Sequence, residues 1–459
     1  MKFFKLKDIK LSPVQIIPAS FFFAIMVGTL FLMHPISSAS GEGTDFLTAL
    51  FTATTSICVT GLVVVDTYAH WSFFGQIVIL ILIQIGGLGM IAVASMIMLL
   101  THRKFSLTDR ILLRDAFNLN TSNRLLSFLV NVLKGTFVVE LIGAILYSFV
   151  FIPKFGALNG IWKSVFNSVS AFCNAGMDVI GPSSLCDYRD NPLVMTVTIL
   201  LIVFGGIGFV VWFDVIARVK DGVKRRFGPI ITIKRFSEHT KLVLCFTLFL
   251  LIFGALAFLI LEFNNPGTIG NMSFGAKLAN CFFQSVTLRT AGFTTFPQEN
   301  LTLASCFVAY ILMFIGGSPI GTAGGIKTIT FFLLVMNVRS YLRNQDDKVI
   351  FNHRVSEDSM RKASAIVFVS ASAVALLTII LTIVNPIPLE DALYEVVSAC
   401  GTVGLSRALT PSLGSLGRVT IIIAMYLGRI GPISLVALFS RNSSDANKIK
   451  YAEGNFYVG

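Results

Sequence analysis

Long apolar runs alternate along this chain with shorter, only partly apolar stretches, and four of the shorter ones end at a glycine that opens another apolar run. They read TTSICVTGL, VSAFCNAGM, SVTLRTAGF and SACGTVGLS, with their glycines at Gly61, Gly176, Gly292 and Gly404 and intervals of 115, 116 and 112 residues. A pattern that recurs at one spacing marks repeated structural units. The units are set at 1–110, 111–228, 229–350 and 351–459, which together account for all 459 residues. Eight apolar runs, beginning near Gln15, Trp71, Leu125, Leu193, Leu242, Leu303, Ala363 and Val419, are long enough to cross about 30 Å of hydrocarbon. Each unit holds two.

The segments before the glycines are different. DFLTALFTATTSI, IWKSVFNSVSAF, KLANCFFQSVTL and LEDALYEVVSA are about a dozen residues each, roughly 18 Å as helix at 1.5 Å per residue. That length reaches the middle of a membrane and no further, so the chain returns as non-helical backbone. Such backbone is tolerated at that depth only against protein or a water-filled path. The predicted fold is an all-α integral membrane protein: four parallel helix–pore loop–helix repeats around a pseudo-four-fold central pore, with eight transmembrane helices and four half-spanning pore helices.

The return strands are Cys58-Val59-Thr60-Gly61, Cys173-Asn174-Ala175-Gly176, Arg289-Thr290-Ala291-Gly292 and Gly401-Thr402-Val403-Gly404. Carbonyl groups from four such strands can replace the water shell of a monovalent cation, as a selectivity filter does. Glycine supplies the positive φ that this requires. The partly negative C-terminal ends of the short helices favour a cation as well. None of the four strands carries Asp or Glu, so a cage of main-chain oxygen, suited to potassium, is expected rather than a ring of acids. Glycines that merely let helices pack closely are the alternative. Matched spacing after four segments too short to span argues against it.

A second glycine group comes after each filter: Gly86-Gly87-Leu88-Gly89, Gly205-Gly206-Ile207-Gly208, Gly316-Gly317-Ser318-Pro319 and Gly428-Arg429-Ile430-Gly431. In units one and two the second helix is expected to continue through it. In unit three, Gly316, Gly317, Ser318, Pro319, Ile320, Gly321, Thr322, Ala323, Gly324 and Gly325 hold five glycines and a proline in ten residues, which helix propensity forbids. This stretch is expected to be an intramembrane loop below the filter, acting as a gate. A static kink is the alternative. Arg429, at the matching depth of unit four, is expected to latch the loop through its five donors. Lys327 either assists or reaches the cytoplasmic surface. Arg289 is expected to be structural, paired with an acid such as Glu395.

Composition agrees with a membrane setting. Hydrophobic residues are 54% of the chain and charged residues 13%, against roughly 25% charged in soluble domains. The net charge of +12 is concentrated in the N-terminus, in 103–124, 218–241 and 339–362, and after Arg441. The alternate loops carry the acids Glu42, Asp45, Asp66, Asp187, Asp190, Glu299, Glu390 and Asp391. Basic loops mark the cytoplasmic side, which puts both termini and all inter-unit loops inside and makes the units parallel copies. The bilayer explains the basic patches without nucleic acid. The apolar core from Ile16 to Met33 exceeds that of a cleaved signal, so the first helix is expected to be retained. Seven cysteines and five histidines show no metal-ligand spacing. Gly87-Leu88-Gly89-Met90-Ile91-Ala92 matches a dinucleotide fingerprint but lies within an apolar run and is preceded by no strand. No catalytic constellation is present, so an enzyme is not expected, nor a cofactor beyond the transported ion.

At CVTGLVVVDT, CNAGM, RTAGF, GTVGL and GGSPIGTAGGIKT the chain resembles the KtrB/TrkH/HKT superfamily of potassium transporters over essentially its full length. It is most similar to the KtrB-type membrane subunit of bacterial Ktr systems, because the first repeat begins almost at once. The resemblance implies a homodimer with one pore per protomer in a bacterial cell membrane. It implies a cytosolic octameric ring of nucleotide-binding RCK subunits (KtrA or KtrC type) that controls the gate through ATP and ADP. It also implies sodium-stimulated uptake and places residues 455–459 near the dimer interface. Some plant relatives have serine at the first filter glycine and prefer sodium; this chain keeps Gly61. The function expected is potassium uptake through a channel-like, loop-gated pore. A sodium-coupled secondary transporter with a moving midplane site is the main alternative, and a scaffold without transport another. On this reading Gly61→Ser weakens discrimination against sodium, and an unchanged ratio of potassium to sodium uptake would count against the filter assignment.

Overall fold

The computed structural model describes residues 13–89, 125–344, 349–351 and 353–431. The basic clusters at 2–10, at 103–124 and after Arg441, together with residues 455–459, lie outside the described residues. In chain order the helices are α1 (Pro13–Met33), α2 (Phe46–Ile57), α3 (Thr67–His70), α4 (Phe73–Leu88), α5 (Leu125–Phe155), α6 (Ala157–Cys173), α7 (Pro192–Gly206) and α8 (Phe209–Lys224). They continue as α9 (Pro229–Lys234), α10 (Glu238–Glu262), α11 (Phe274–Thr287), α12 (Leu303–Phe314), α13 (Thr328–Leu342), α14 (Glu357–Val384), α15 (Leu389–Gly401) and α16 (Ser415–Ile430). A two-residue antiparallel pair, β1 (Val349–Ile350) and β2 (His353–Arg354), precedes α14.

Local chemistry sets many of the starts. Asp45, Ser72, Asn191, Ser237, Ser273, Thr302 and Ser356 each accept a backbone N–H in the first turn of the helix they precede, the expected use of short polar side chains at N-caps.

Three described helices are long and apolar enough to cross a membrane, at Phe128–Phe155, Glu238–Glu262 and Glu357–Val384. The first helix formed by the second apolar run of each unit is shorter than the run's composition suggested. α4, α7, α12 and α16 have 16, 15, 12 and 16 residues and stop at the second glycine group. The expected continuous helices in units one and two are therefore not found. α4 ends at Leu88, with Gly89 at φ 85°, and α7 gives way to α8 across a 99° bend with Gly208 at φ 90°. In unit two the reason is competition for the helix ladder. The carbonyls of Gly205 and Gly206 accept from Thr322 and Ser318, and the Phe209 amide donates to Ile320.

Packing repeats around the molecule. α1, α2 and α4 pack together, as do α5, α6 and α7, and α14, α15 and α16; α10 packs on both α11 and α12. Gly28 of α1, Gly143 of α5 and Gly254 of α10 do the same job: a Cβ on each would come within 2.8 Å of Leu82, Leu201 or Leu312 on the matching second helix. Each second helix also reaches the next short helix: α4 packs on α6, α7 on α11, α12 on α15, and α16 back on α2. The four short helices thus sit in one closed circuit.

Asp45 caps α2 where the chain turns inward. Burial alone would raise its carboxyl, but the Thr48 amide and hydroxyl, Arg418 and the Leu47 amide bring it below its ordinary 3.8. A carboxylate whose pKa falls on folding stabilises fully above that ordinary value and loses its contribution as pH drops through the lower folded value. Asp45→Ala should therefore cost about 1 kcal/mol near neutrality. Thermal unfolding of purified protein should show the gap from wild type closing below about pH 4.

Candidate functional site

The four return strands adopt one backbone conformation. Their second residues, Val59, Asn174, Thr290 and Thr402, lie at φ 53°, 59°, 70° and 52°, and the glycines that end them, Gly61, Gly176, Gly292 and Gly404, at φ 100°, 65°, 85° and 90°. Positive φ is unfavourable for β-branched residues, yet three of the four second positions carry Val or Thr. Such a conformation persists where the surroundings over-determine it, which is characteristic of functional turns.

The turns also meet. A Cβ on Gly61 would lie 2.5 Å from the Ala175 carbonyl oxygen, one on Gly176 2.5 Å from that of Ala291, and one on Gly292 2.7 Å from that of Val403. One on Gly404 would overlap the carbonyl of Thr60, closing the cycle. All sixteen residues expected in the filter are brought to this ring or to the turn of backbone leading into it. Each glycine is required twice over, for its φ and for the neighbouring oxygen that occupies the space of a side chain.

Hydroxyl groups at the ends of the short helices hold the turns. Thr55 Oγ1 and Ser398 Oγ accept the Gly61 and Gly404 amides at 3.0 and 3.1 Å. Ser170 Oγ and Thr287 Oγ1 donate to the carbonyls of Met177 and Phe293, one residue beyond the glycines, at 2.5 and 2.7 Å. Sequence reasoning missed these four residues and the left-handed second position. The signal for the hydroxyls was present: a Ser or Thr five or six residues before each glycine.

The unit-three stretch is a loop, with α12 ending at Phe314 and α13 beginning at Thr328. It is held on several sides. Its own ends are joined by Gly316 N–H to Ile326 O at 2.8 Å and Thr328 N–H to Gly317 O at 3.0 Å. Toward unit two, Thr322 Oγ1 donates to Phe172 O at 3.0 Å, in addition to the bonds to Gly205, Gly206 and Phe209. Toward unit four, Gly324 abuts Thr402, and a Cβ on Gly325 would lie 3.2 Å from Gly401 O. The loop therefore reaches from unit two to unit four, against the turns at Phe172 and at Gly401 and Thr402.

Two arginines fix it. Arg429 donates to Thr322 O of the loop at 2.5 Å and to Gly86 O of unit one. Arg289 donates to Gly316 O at 2.9 Å. The expected pairing of Arg289 with Glu395 is not found: Glu395 is occupied by the hydroxyls of Ser406 and Thr410. A carbonyl freed where α12 ends needs a strong donor, which a guanidinium supplies. Lys327 Nζ returns to Ala323 O at 2.7 Å within the loop. Among the described residues no group of three His, Cys, Asp or Glu is placed to hold a metal ion.

A family model described as TrkH, a cation transport protein, matches residues 12–450, and the chain belongs to that family. It is 38% identical to the potassium/sodium uptake protein NtpJ of Enterococcus hirae, over 98% of both chains. It is 37% identical to the Ktr system potassium uptake protein B of Bacillus subtilis, over 99% of this chain and 98% of that one. The crystal structure of the potassium transporter TrkH from Vibrio parahaemolyticus superimposes with a TM-score of 0.73, covering 95% of this chain and 86% of that one at 15% identity. That likeness shows the fold.

The hydroxyl supports give a direct check. Thr55→Val leaves the buried Gly61 N–H, and Ser398→Ala the half-buried Gly404 N–H, without its acceptor. Each should cost about 1–3 kcal/mol, the second toward the lower end, read as a lower unfolding temperature. Thr382→Val removes only a hydroxyl bonded back to its own helix and should stay within about 0.5 kcal/mol.

Proposed function

We propose that this member of the TrkH cation transport family is the membrane subunit of a Ktr-type system and takes potassium into a bacterial cell through a backbone-lined pore. The observation that carries the reading is the closed circuit of four glycine turns. Main-chain oxygen atoms of Thr60, Ala175, Ala291 and Val403 crowd a single ring there, and short helices point their C-terminal ends toward it. The names of the relatives support the choice of ion, since potassium is common to them and one adds sodium. In this reading the chain forms eight transmembrane helices and four half-spanning pore helices in four units, with both termini cytoplasmic. It acts as a homodimer beneath which a cytosolic nucleotide-binding ring docks, and sodium serves as activator.

The loop of residues 316–325 is the gate. It lies under the ring and is fastened through backbone carbonyls that any displacement would expose. Irregular backbone at that depth needs partners, so the closed position is stabilised by the bonds that Arg429 and Arg289 make. Opening means exchanging them for water in the pore.

Reconstituted vesicles test the reading. Wild-type protein should accumulate potassium in strong preference to sodium, at rates beyond those of a strictly coupled carrier. Absent flux, or slow flux with fixed sodium coupling, would refute it. Arg429→Ala should raise potassium flux roughly tenfold, about 1.4 kcal/mol, with the ion ratio unchanged. That figure lies just under the 1.5–3 kcal/mol typical of a hydrogen bond to a charged group. Deleting residues 316–325 should act in the same direction.

A further inference from the structure

Glu140 lies midway along α5 and is 5% exposed. An acid inside a membrane-spanning helix is costly and marks function more often than packing. The three-fold correspondence of the outer helices sharpens this. Gly28, Gly143 and Gly254 meet matching leucines, and three residues before them stand Ile25, Glu140 and Leu251. Ile25 and Leu251 are buried hydrophobic residues. Unit two has placed a carboxyl group where units one and three have ordinary core.

Its partners show what it touches. Gln84 Nε2, on α4 of unit one, donates to Glu140 Oε2 at 3.3 Å. Cys173 Sγ, on the first residue of the second filter strand, lies 3.8 Å from both Glu140 Oε1 and Gln84 Oε1. Ser168 of the same short helix donates to the Glu140 backbone carbonyl at 2.6 Å. A Cβ on Gly87 would come within 2.5 Å of Cys173 Sγ, so the thiol is enclosed between α4 and α5. The next residue, Asn174, is the one in the left-handed conformation. Two residues along α4 from Gln84 is Gly86, whose carbonyl takes Arg429.

We propose that Glu140, working through Gln84 and Cys173, is a positioning residue that fixes the second filter turn and thereby sets ion selectivity. The inference rests on reading that turn as part of the filter. A site of this kind must be held to about 0.5 Å by a supporting shell whose own side chains are locked. In unit three the corresponding residue, Arg289, is anchored on Gly316. In unit two the anchor is the carboxyl–amide pair, which joins two units at the height of the ring. Shape and hydrogen bonding are what it uses, since its side-chain partners, Gln84 and Cys173, are neutral.

The test compares full-length wild type, Glu140→Gln, Glu140→Leu and Gln84→Met in vesicles, measuring the potassium-to-sodium uptake ratio. In detergent it also measures the potassium concentration that gives half-maximal thermal protection. Wild type must show selective uptake; if it does not, the filter reading itself fails. Given that, Glu140→Gln should keep the ratio within twofold. Glu140→Leu and Gln84→Met should lower it at least tenfold and raise the half-protecting concentration, with protein still monodisperse. A wild-type ratio and half-protecting concentration in Glu140→Leu, with only a lower unfolding temperature, would reduce Glu140 to a packing residue and overturn the proposal. Equal loss in Glu140→Gln and Glu140→Leu would overturn the claim that shape rather than charge matters. If Glu140→Leu does not fold, Gln84→Met decides, since it leaves the acid in place and removes the amide that joins it and Cys173.

Discussion

A main-chain N–H or C=O left unpaired in apolar surroundings costs several kcal/mol, and this protein interrupts its apolar helices with a large amount of buried non-helical backbone. Four turns succeed the short helices, and a thirteen-residue loop separates α12 from α13. These segments are supported by one another. Each glycine turn lies against the carbonyl of the next, and hydroxyls of Thr55, Ser170, Thr287 and Ser398 take up amides or carbonyls beside them. The loop exchanges hydrogen bonds with the break between α7 and α8. Irregular backbone is stable here because it is gathered in one place.

That gathering explains two kinds of glycine. Those of the turns tolerate a positive φ and leave room for an oxygen. Gly86, Gly205 and Gly428, which open the second groups, instead let the inner helix pass against the last turn of its own short helix, at the carbonyls of Ile57, Phe172 and Cys400. Gly316 departs from them, lying against Gly324 of its own loop. Three of these glycines share one kind of contact, and Gly316 has exchanged it for a contact within its own loop. The departure is a local substitution at one of four matching glycine groups.

Charge obeys the same logic. Arg289 is buried and Arg429 half-buried near the ring, and both hold carbonyl oxygen where the helices are interrupted. Their donors replace the missing amides of the ladder. This is why Arg289 does not seek a carboxylate: Glu395 is already satisfied by hydroxyls, and the loop carbonyl needs a donor more. Glu140 is the acidic counterpart, set among neutral partners behind the second turn.

Much was open to reading from letters alone. The spacing of Gly61, Gly176, Gly292 and Gly404 carried the place of the four turns, because a repeated local conformation needs the same permissive residue each time. The run from Gly316 to Gly325 declared itself a loop because no helix tolerates that content of glycine and proline. What the letters did not disclose was pairing. Val59, Thr290 and Thr402 are β-branched, so propensity gave no hint of their left-handed backbone; only the closing of the ring imposes it. α7 is apolar throughout and reads as one helix with the start of α8. The chain bends at Gly208 because a loop more than a hundred residues later takes the α7 carbonyls. Local conformational cost is written in sequence, whereas the partner that compensates a broken hydrogen bond is chosen by proximity, which the folded chain alone supplies.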